Sequence, residues 1–398
     1  MPRQAKQDEQ PIPSEAELID RARALQSALI ARSASTDAAR CLPVETIGDF
    51  HRAGFFNILK PPRHGGYGMS PLSLSKVVME VGRADMCAAW IVFVLGLHPY
   101  GVALMDPRAG EEIWGQNPDA LIASSIAPFG QVVQVPGGFE VSGVWRFSSG
   151  IDHANWLMLA GMADVAGRPG KDYRLCLVPR SSVTIDQSSW HSMGLCGTGS
   201  KDFTVEKSFV PDHMSYSMLD AVAMVGQDKL PKNYRYPFWL VFNAVLSAAI
   251  IGGAMGGLDE ARRQLLPRVG TRDAKPLAED PFVRARLGCA DVLIRGMVAR
   301  HEAMFARMAG QIEAGIPLAV DERLAYMAEI SQCGTDAVDA MLAIFKTVGA
   351  RGLALQNRMQ AILRNVLSGS NHVAMQLDPA LHVLGSSLLG ASDIKTVC

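Results

Sequence analysis

This 398-residue chain has no CxxC pair, no histidines at metal-ligand spacing, and no GxGxxG fingerprint following a strand. Its seven cysteines, at 41, 87, 176, 196, 289, 333 and 398, are odd in number and scattered. That pattern argues against a disulfide framework or a zinc site and implies reduced thiols in a cytoplasmic setting. His51, His64, His191, His213, His301 and His382 are likewise too dispersed to hold a metal. Without a dinucleotide motif, no nicotinamide nucleotide is expected to bind. The net charge of −1, with lysine and arginine spread evenly, gives no reason to expect nucleic acid. Residues 1–13 are polar, read as disordered, and lack the apolar core of a signal peptide.

What is present is apolar: 48% hydrophobic against 19% charged residues, which excludes a disordered chain. Nineteen methionines against seven tyrosines imply a pliable, greasy interior. The length exceeds what one core supports, so two or three packed units are expected. Trp239 to Gly257 is interrupted only by Asn243 and Ser247 and is just long enough to span a bilayer. It lacks a clear basic flank and carries four glycines near its end, so a buried helix at the centre of a bundle is favoured over a membrane anchor.

Along the chain, Ser14 to Glu17 reads as a capping box, with Leu18, Ala22, Leu25 and Leu29 following at helical spacing. Pro43 opens a second helix and Gly54 closes it; Pro71 to Arg83 and Cys87 to Leu104 read as two more. Short strands follow at Leu121–Ser125, Gln131–Val135 and Phe139–Trp145, with Pro136-Gly137-Gly138 as a hairpin turn. Trp156–Ala163, Arg174–Pro179 and Asp202–Val210 continue the pattern. From about 235 the helices are long, as an up-and-down bundle requires. The expected fold class is α+β, mainly α: a helical domain over 14–120, an antiparallel β domain over 121–230 and a helix bundle over 231–398.

The stretch from Gly143 to Trp156 draws attention because two serines and a glycine sit among aromatic residues. Such a turn can approach a flat, polar-edged ring closely, although a plain hairpin corner reads the same way. His98 lies on an otherwise apolar helix, where a lone histidine is commonly a satisfied core residue. Asp152 and His153 are adjacent and are expected to point apart, in a structural role.

The order of the three units, together with Gly54-Phe55-Phe56, Trp114-Gly115, Ser124 to Pro128, Trp145 to Trp156, Gly194 to Ser200, Asp280-Pro281-Phe282, and Arg364-Asn365 followed by His372, resembles the acyl-CoA dehydrogenase fold. Within that fold the chain is similar to the oxygenase components of two-component flavin-dependent monooxygenases that hydroxylate phenols. The resemblance covers nearly the whole chain.

It implies reduced FAD or FMN and O2 as cofactors and a separate NAD(P)H-dependent flavin reductase as partner. It also implies a homotetramer and an aromatic, phenol-like or indole-like substrate, hydroxylated by a C4a-hydroperoxyflavin. It places Ser149 near flavin N5 as acceptor for the N5 proton, with Phe147 and Ser148 lining the ring. Ser124, Ser125 and the backbone of Ala127 match a second flavin-contacting loop. His98 would remove the phenol proton, His372 would steady the anionic reduced flavin, and Trp90 would pack on flavin or substrate. Arg272 and Arg351 are candidates for the flavin phosphate. Two positions depart from the family pattern: Asn365 stands in place of Asp, and Cys196 in place of an arginine. The alternatives are an acyl-CoA dehydrogenase and an N- or S-oxygenase on the same scaffold. A rival of another class is a non-enzymatic membrane-held helical protein.

Overall fold

The computed structural model describes residues 11–270 and 274–391. Five helices come first: α1 (Glu15–Ala39), α2 (Val44–Ala53), α3 (Pro71–Ala84), α4 (Met86–Ala103) and α5 (Pro107–Trp114). Strands β1 (Ile122–Val135), β2 (Gly138–Ser148), β3 (Trp156–Asp164), β4 (Lys171–Pro179), β5 (Thr184–Asp186), β6 (Lys201–Pro211) and β7 (Ser215–Ser217) form the middle. Helices α6 (Met218–Val222), α7 (Phe238–Leu265), α8 (Pro281–Ala314), α9 (Val320–Val348), α10 (Arg358–Ser370) and α11 (Leu377–Leu388) complete it. Local signals act where expected. Ser14 and Glu17 exchange both capping-box bonds, and Gly54 ends α2 in the left-handed conformation.

α4 has no polar face: all eighteen of its residues are buried, so it is the axle between the sheet and the bundle. Asp85 caps it by accepting from the Cys87 and Ala88 N–H groups. α7, which contains the apolar run, and α4 are both long and apolar enough to cross a membrane. Their apolar windows, however, are 89% and 100% buried by the rest of the protein. The glycines of α7 form a seam for α3: a Cβ on Gly252 would stand 2.5 Å from the Met79 carbonyl oxygen, and one on Gly256 2.4 Å from that of Arg83. Close backbone approach explains the glycines of this run.

The seven strands form one sheet in the order β5-β6-β2-β1-β3-β4-β7. All neighbours are antiparallel except one pair: β1 and β3 run parallel, Ile122 facing Trp156. β2 pairs with one edge of β1, so the chain must cross over to reach the other edge, and the Ser148–Asn155 turn makes the crossing. The two strands expected over 121–135 are one strand, irregular between Ser125 and Gly130. Trp145, fully buried, fills that irregularity. It stacks on Phe203 with ring centroids 5.7 Å apart and donates from Nε1 to the Ala160 carbonyl at 2.8 Å. A Cβ on Gly130 would meet its ring at 1.9 Å, so only glycine fits there. On α9, Leu324 is buried, whereas Leu342 is 42% exposed.

Candidate active site

β2 ends at Ser148 because the backbone turns over at Phe147, which adopts φ 61°, a left-handed conformation that costs a non-glycine residue. Its N–H is held by the Asp202 carboxylate at 3.2 Å, and its ring is left 64% exposed. Gly150 follows with φ 71°, and its N–H donates to the Thr198 carbonyl at 2.9 Å. A Cβ there would stand 3.2 Å from Ile91 and 3.3 Å from Leu95 of α4. The turn thus lies between α4 and the 194–201 segment.

Ser149 is buried and bonded on two sides: its Oγ accepts from Trp90 Nε1 at 3.2 Å and lies 2.7 Å from Ser200 Oγ. Ser148 is the opposite case, with a buried Oγ that has no partner. Below the turn, Lys201 Nζ reaches both Asp152 carboxylate oxygens at 2.8 Å and Gln187 Oε1 at 2.6 Å. His153 turns away to Cys41 Sγ, 3.5 Å from its Nε2. Asp152 also approaches the Cys41 thiol, so the two side chains do not point apart as expected, and both tie the turn down.

His98 lies on α4, 1% exposed. Its Nδ1 is 2.7 Å from the Ile122 carbonyl at the start of β1, so that nitrogen carries the proton. Nε2 then presents a lone pair, and it is buried without a partner. Burial pushes the imidazole pKa down to about 4, keeping it neutral. His372 has the reverse polarity. Its Nδ1 accepts from the Ala374 N–H at 3.1 Å, so the neutral ring carries its proton on Nε2 and can donate. Its ring sits 5.7 Å from that of Trp90 and 6.4 Å from that of Phe242, and burial pushes its pKa down to about 4. Trp90 thus joins His372 on one side to Ser149 on the other.

The remaining candidates divide. Ser125 Oγ donates to the Arg146 carbonyl at 2.7 Å, tying β1 to the end of β2. Ser124 and Ala127 are half-buried on the same strand, and the Ile126 carbonyl between them accepts from the Tyr173 hydroxyl. Arg351 is not brought to the turn: it lies exposed and lines a cleft with Glu260, Arg263, Gln264 and Arg358. Arg272 lies outside the described residues. Asn365 has a task its sequence context did not reveal. Its Oδ1 accepts the Leu195 N–H at 2.7 Å, while Arg364 holds the Met193 carbonyl. Sequence spacing missed Thr198 and Ser200 as site residues, although both stand in the Gly-Thr-Gly-Ser motif that had been singled out.

His98 Nε2 and Ser148 Oγ are both buried without a hydrogen-bond partner, and the Phe147 ring is exposed. The neutral histidines carry a stability consequence. His98, His372 and His301, the last pushed down to about 3 by burial, all titrate below the ordinary 6.5. A depressed pKa contributes stability that is present above pH 6.5 and lost as pH falls toward 4. Asp85, raised to about 6 by burial, and Asp37, also raised by burial, act in the opposite sense, but burial lowers His51, His64 and His153 as well. Urea unfolding at pH 7.5 and 5.0 is expected to show lower stability at pH 5.0, each histidine contributing up to about 1.4 kcal/mol per pH unit. Equal midpoints would mean that the imidazoles are charged in the fold.

The acyl-CoA dehydrogenase N-terminal domain model matches residues 13–103, and the C-terminal domain model matches residues 244–377. The chain is 30% identical over 371 residues to the flavin-dependent monooxygenase oxygenase subunit HsaA of Rhodococcus jostii, covering 92% of this chain and 97% of that one. It is also 30% identical to the oxygenase component of an FADH2-dependent resorcinol hydroxylase from a Rhizobium species, over 89% and 90% of the two chains. The crystal structure of 3-HSA hydroxylase from Rhodococcus sp. RHA1 superposes with a TM-score of 0.91 at 30% identity, covering 96% of this chain and 99% of that one.

Proposed function

Because the chain belongs to the flavin-dependent monooxygenase oxygenase subunits of acyl-CoA dehydrogenase fold, we propose that His98, Ser149 and His372 are the residues with which it hydroxylates an aromatic ring. The protein is the oxygenase component of a two-component system. It takes flavin already reduced by a separate reductase, uses O2, and acts on an aromatic substrate. Reduced flavin, when bound, supplies one electrophilic oxygen atom drawn from O2.

The unpartnered Nε2 of His98 carries the assignment. A phenolic hydroxyl donating to that lone pair loses its proton toward the imidazole as the ring is attacked, and the deprotonated ring is the better nucleophile. The Ile122 carbonyl fixes the tautomer, so His98 needs no reorganisation to act as a base. On the flavin side, Ser149 offers an acceptor, Ser148 an unused hydroxyl, and Trp90 and Phe147 apolar faces. The Nε2–H of His372 is a donor suited to an anionic ring. Ser124, Ser125 and Ala127 border the site from β1. Arg351 and Arg272 serve the flavin phosphate, Arg351 from a separate cleft.

Assembly as a homotetramer, in the cytoplasm, completes the reading. Phe282 and Val292, left 72% and 69% exposed on α8, supply apolar surface for subunit contact.

The acyl-CoA dehydrogenase alternative needs a carboxylate base. None occurs in residues 368–373, and among the described residues none hydrogen-bonds His98, Ser149 or Trp90. The test is a product screen with a flavin reductase, NADH and panels of phenols, indoles and acyl-CoA thioesters. Hydroxylated phenols or indoles are the expected products. Turnover confined to the thioesters would overturn the assignment.

A further inference from the structure

The direction of the hydroxyl chain under the turn follows atom by atom. Thr198 Oγ1 lies 2.8 Å from the Leu195 carbonyl. A carbonyl only accepts, so the single hydroxyl proton of Thr198 is used there. Ser200 Oγ, 2.7 Å from Thr198 Oγ1, must then be the donor of that second bond. Ser149 Oγ, 2.7 Å from Ser200 Oγ, must in turn donate to Ser200. At the other end Trp90 Nε1, 3.2 Å away, can only donate to Ser149. Ser149 is left with its proton engaged, one lone pair filled and one lone pair free. Trp90, Ser149, Thr198 and Ser200 are 5%, 8%, 2% and 5% exposed, so water offers no easy alternative partner.

We infer that Thr198 and Ser200 are positioning residues that hold Ser149 as a hydrogen-bond acceptor only, and that the site thereby selects reduced over oxidised flavin. The inference rests on the reading that Ser149 faces the flavin. Reduced flavin carries an N–H at N5, which a free lone pair welcomes. Oxidised flavin carries a lone pair at the same atom, which an acceptor-only hydroxyl repels and a freely rotating hydroxyl would accommodate. The backbone supports the relay from below, since Asn365 fixes the Leu195 N–H and the carbonyl of that same residue terminates the chain.

The test is anaerobic titration of the full-length protein with FMN and with FAD, each oxidised and dithionite-reduced, to obtain the ratio of oxidised to reduced Kd. Ser200→Ala frees the Ser149 proton and is expected to lower that ratio roughly tenfold. That change is equivalent to about 30 mV in the midpoint potential of a bound two-electron couple. Thr198→Val is expected to shift the ratio in the same direction, while Thr198→Ser, which keeps the hydroxyl, retains the wild-type ratio. A purely structural role would weaken both redox states equally. If Ser149→Ala collapses the ratio but Ser200→Ala and Thr198→Val both leave it within twofold of wild type, the relay is refuted while Ser149 keeps its place at the flavin. If Ser149→Ala leaves the ratio unchanged, the placement of Ser149 is wrong and the inference goes with it.

Discussion

His98→Ala is expected to bind reduced flavin and consume oxygen, yet to release that oxygen as hydrogen peroxide, with hydroxylated product reduced at least about 100-fold. The imidazole hydrogen-bonds no side chain among the described residues: its Nδ1 bonds a backbone carbonyl and its Nε2 bonds nothing. Its removal deletes the acceptor for a substrate proton and leaves the hydroxyls around Ser149 in place. The truncation also opens a small void in α4 and orphans the Ile122 carbonyl, so some loss of stability is expected on packing grounds alone. His98→Asn separates the two effects by keeping a donor for that carbonyl while removing the ring nitrogen. Coupled product formation in His98→Asn at the wild-type level would remove His98 from the chemistry. Because its pKa lies near 4, the wild-type yield should hold level from pH 8 down to about pH 5.

Lys201→Met is expected to be the most destabilising single change at the site, by about 3 kcal/mol or more. Lys201 and Asp152 are 9% and 17% exposed at their side chains, too little for solvent to take over. Methionine fills much the same volume but leaves the Asp152 carboxylate without its cation, supported by a 3.4 Å bond from Gln187 Nε2 and by the Cys41 thiol. Lys201 also faces Ser148 across the β2–β6 ladder, so its side chain staples the turn four residues further on. Peroxide release should rise alongside the fall in stability. The double variant Lys201→Met/Asp152→Leu, with no buried charge left over, should regain most of the loss. A thermal midpoint for Lys201→Met equal to that of wild type would show the pair to be idle.

Elements with a strong local cause were legible in the sequence. The capping box at Ser14, the glycine stop at Gly54 and the proline-glycine hairpin at 136–138 each follow from one or two residues. The helix–strand–helix order was equally plain, and the family resemblance it supported brought His98, Ser149 and His372 into one reading. Relations that depend on which edge of the sheet a strand chooses were hidden. The β1–β3 pair runs parallel because β2 already occupies the other edge, and alternation of apolar residues carries no trace of that. Nor could spacing show that Thr198 and Ser200 underlie Ser149, since some fifty residues separate them in the chain. Trp90 was noticed as an aromatic that could pack on a ring. Its indole N–H, which fills one lone pair of the serine beside it, emerges only from the fold.

The parallel β1–β3 pair has a consequence for how the protein acquires activity during folding. β1 and β2 can zip locally through their short turn, but β3 can join only after the chain has been carried across to the far edge of β1. The Ser148–Asn155 turn is that crossing, and it is pinned by partners from 187 to 201 that are synthesised later still. Closing those loops costs chain entropy before any contact rewards it. The serine turn is therefore among the last parts of the sheet to be fixed, and flavin-binding competence should trail the recovery of secondary structure during refolding.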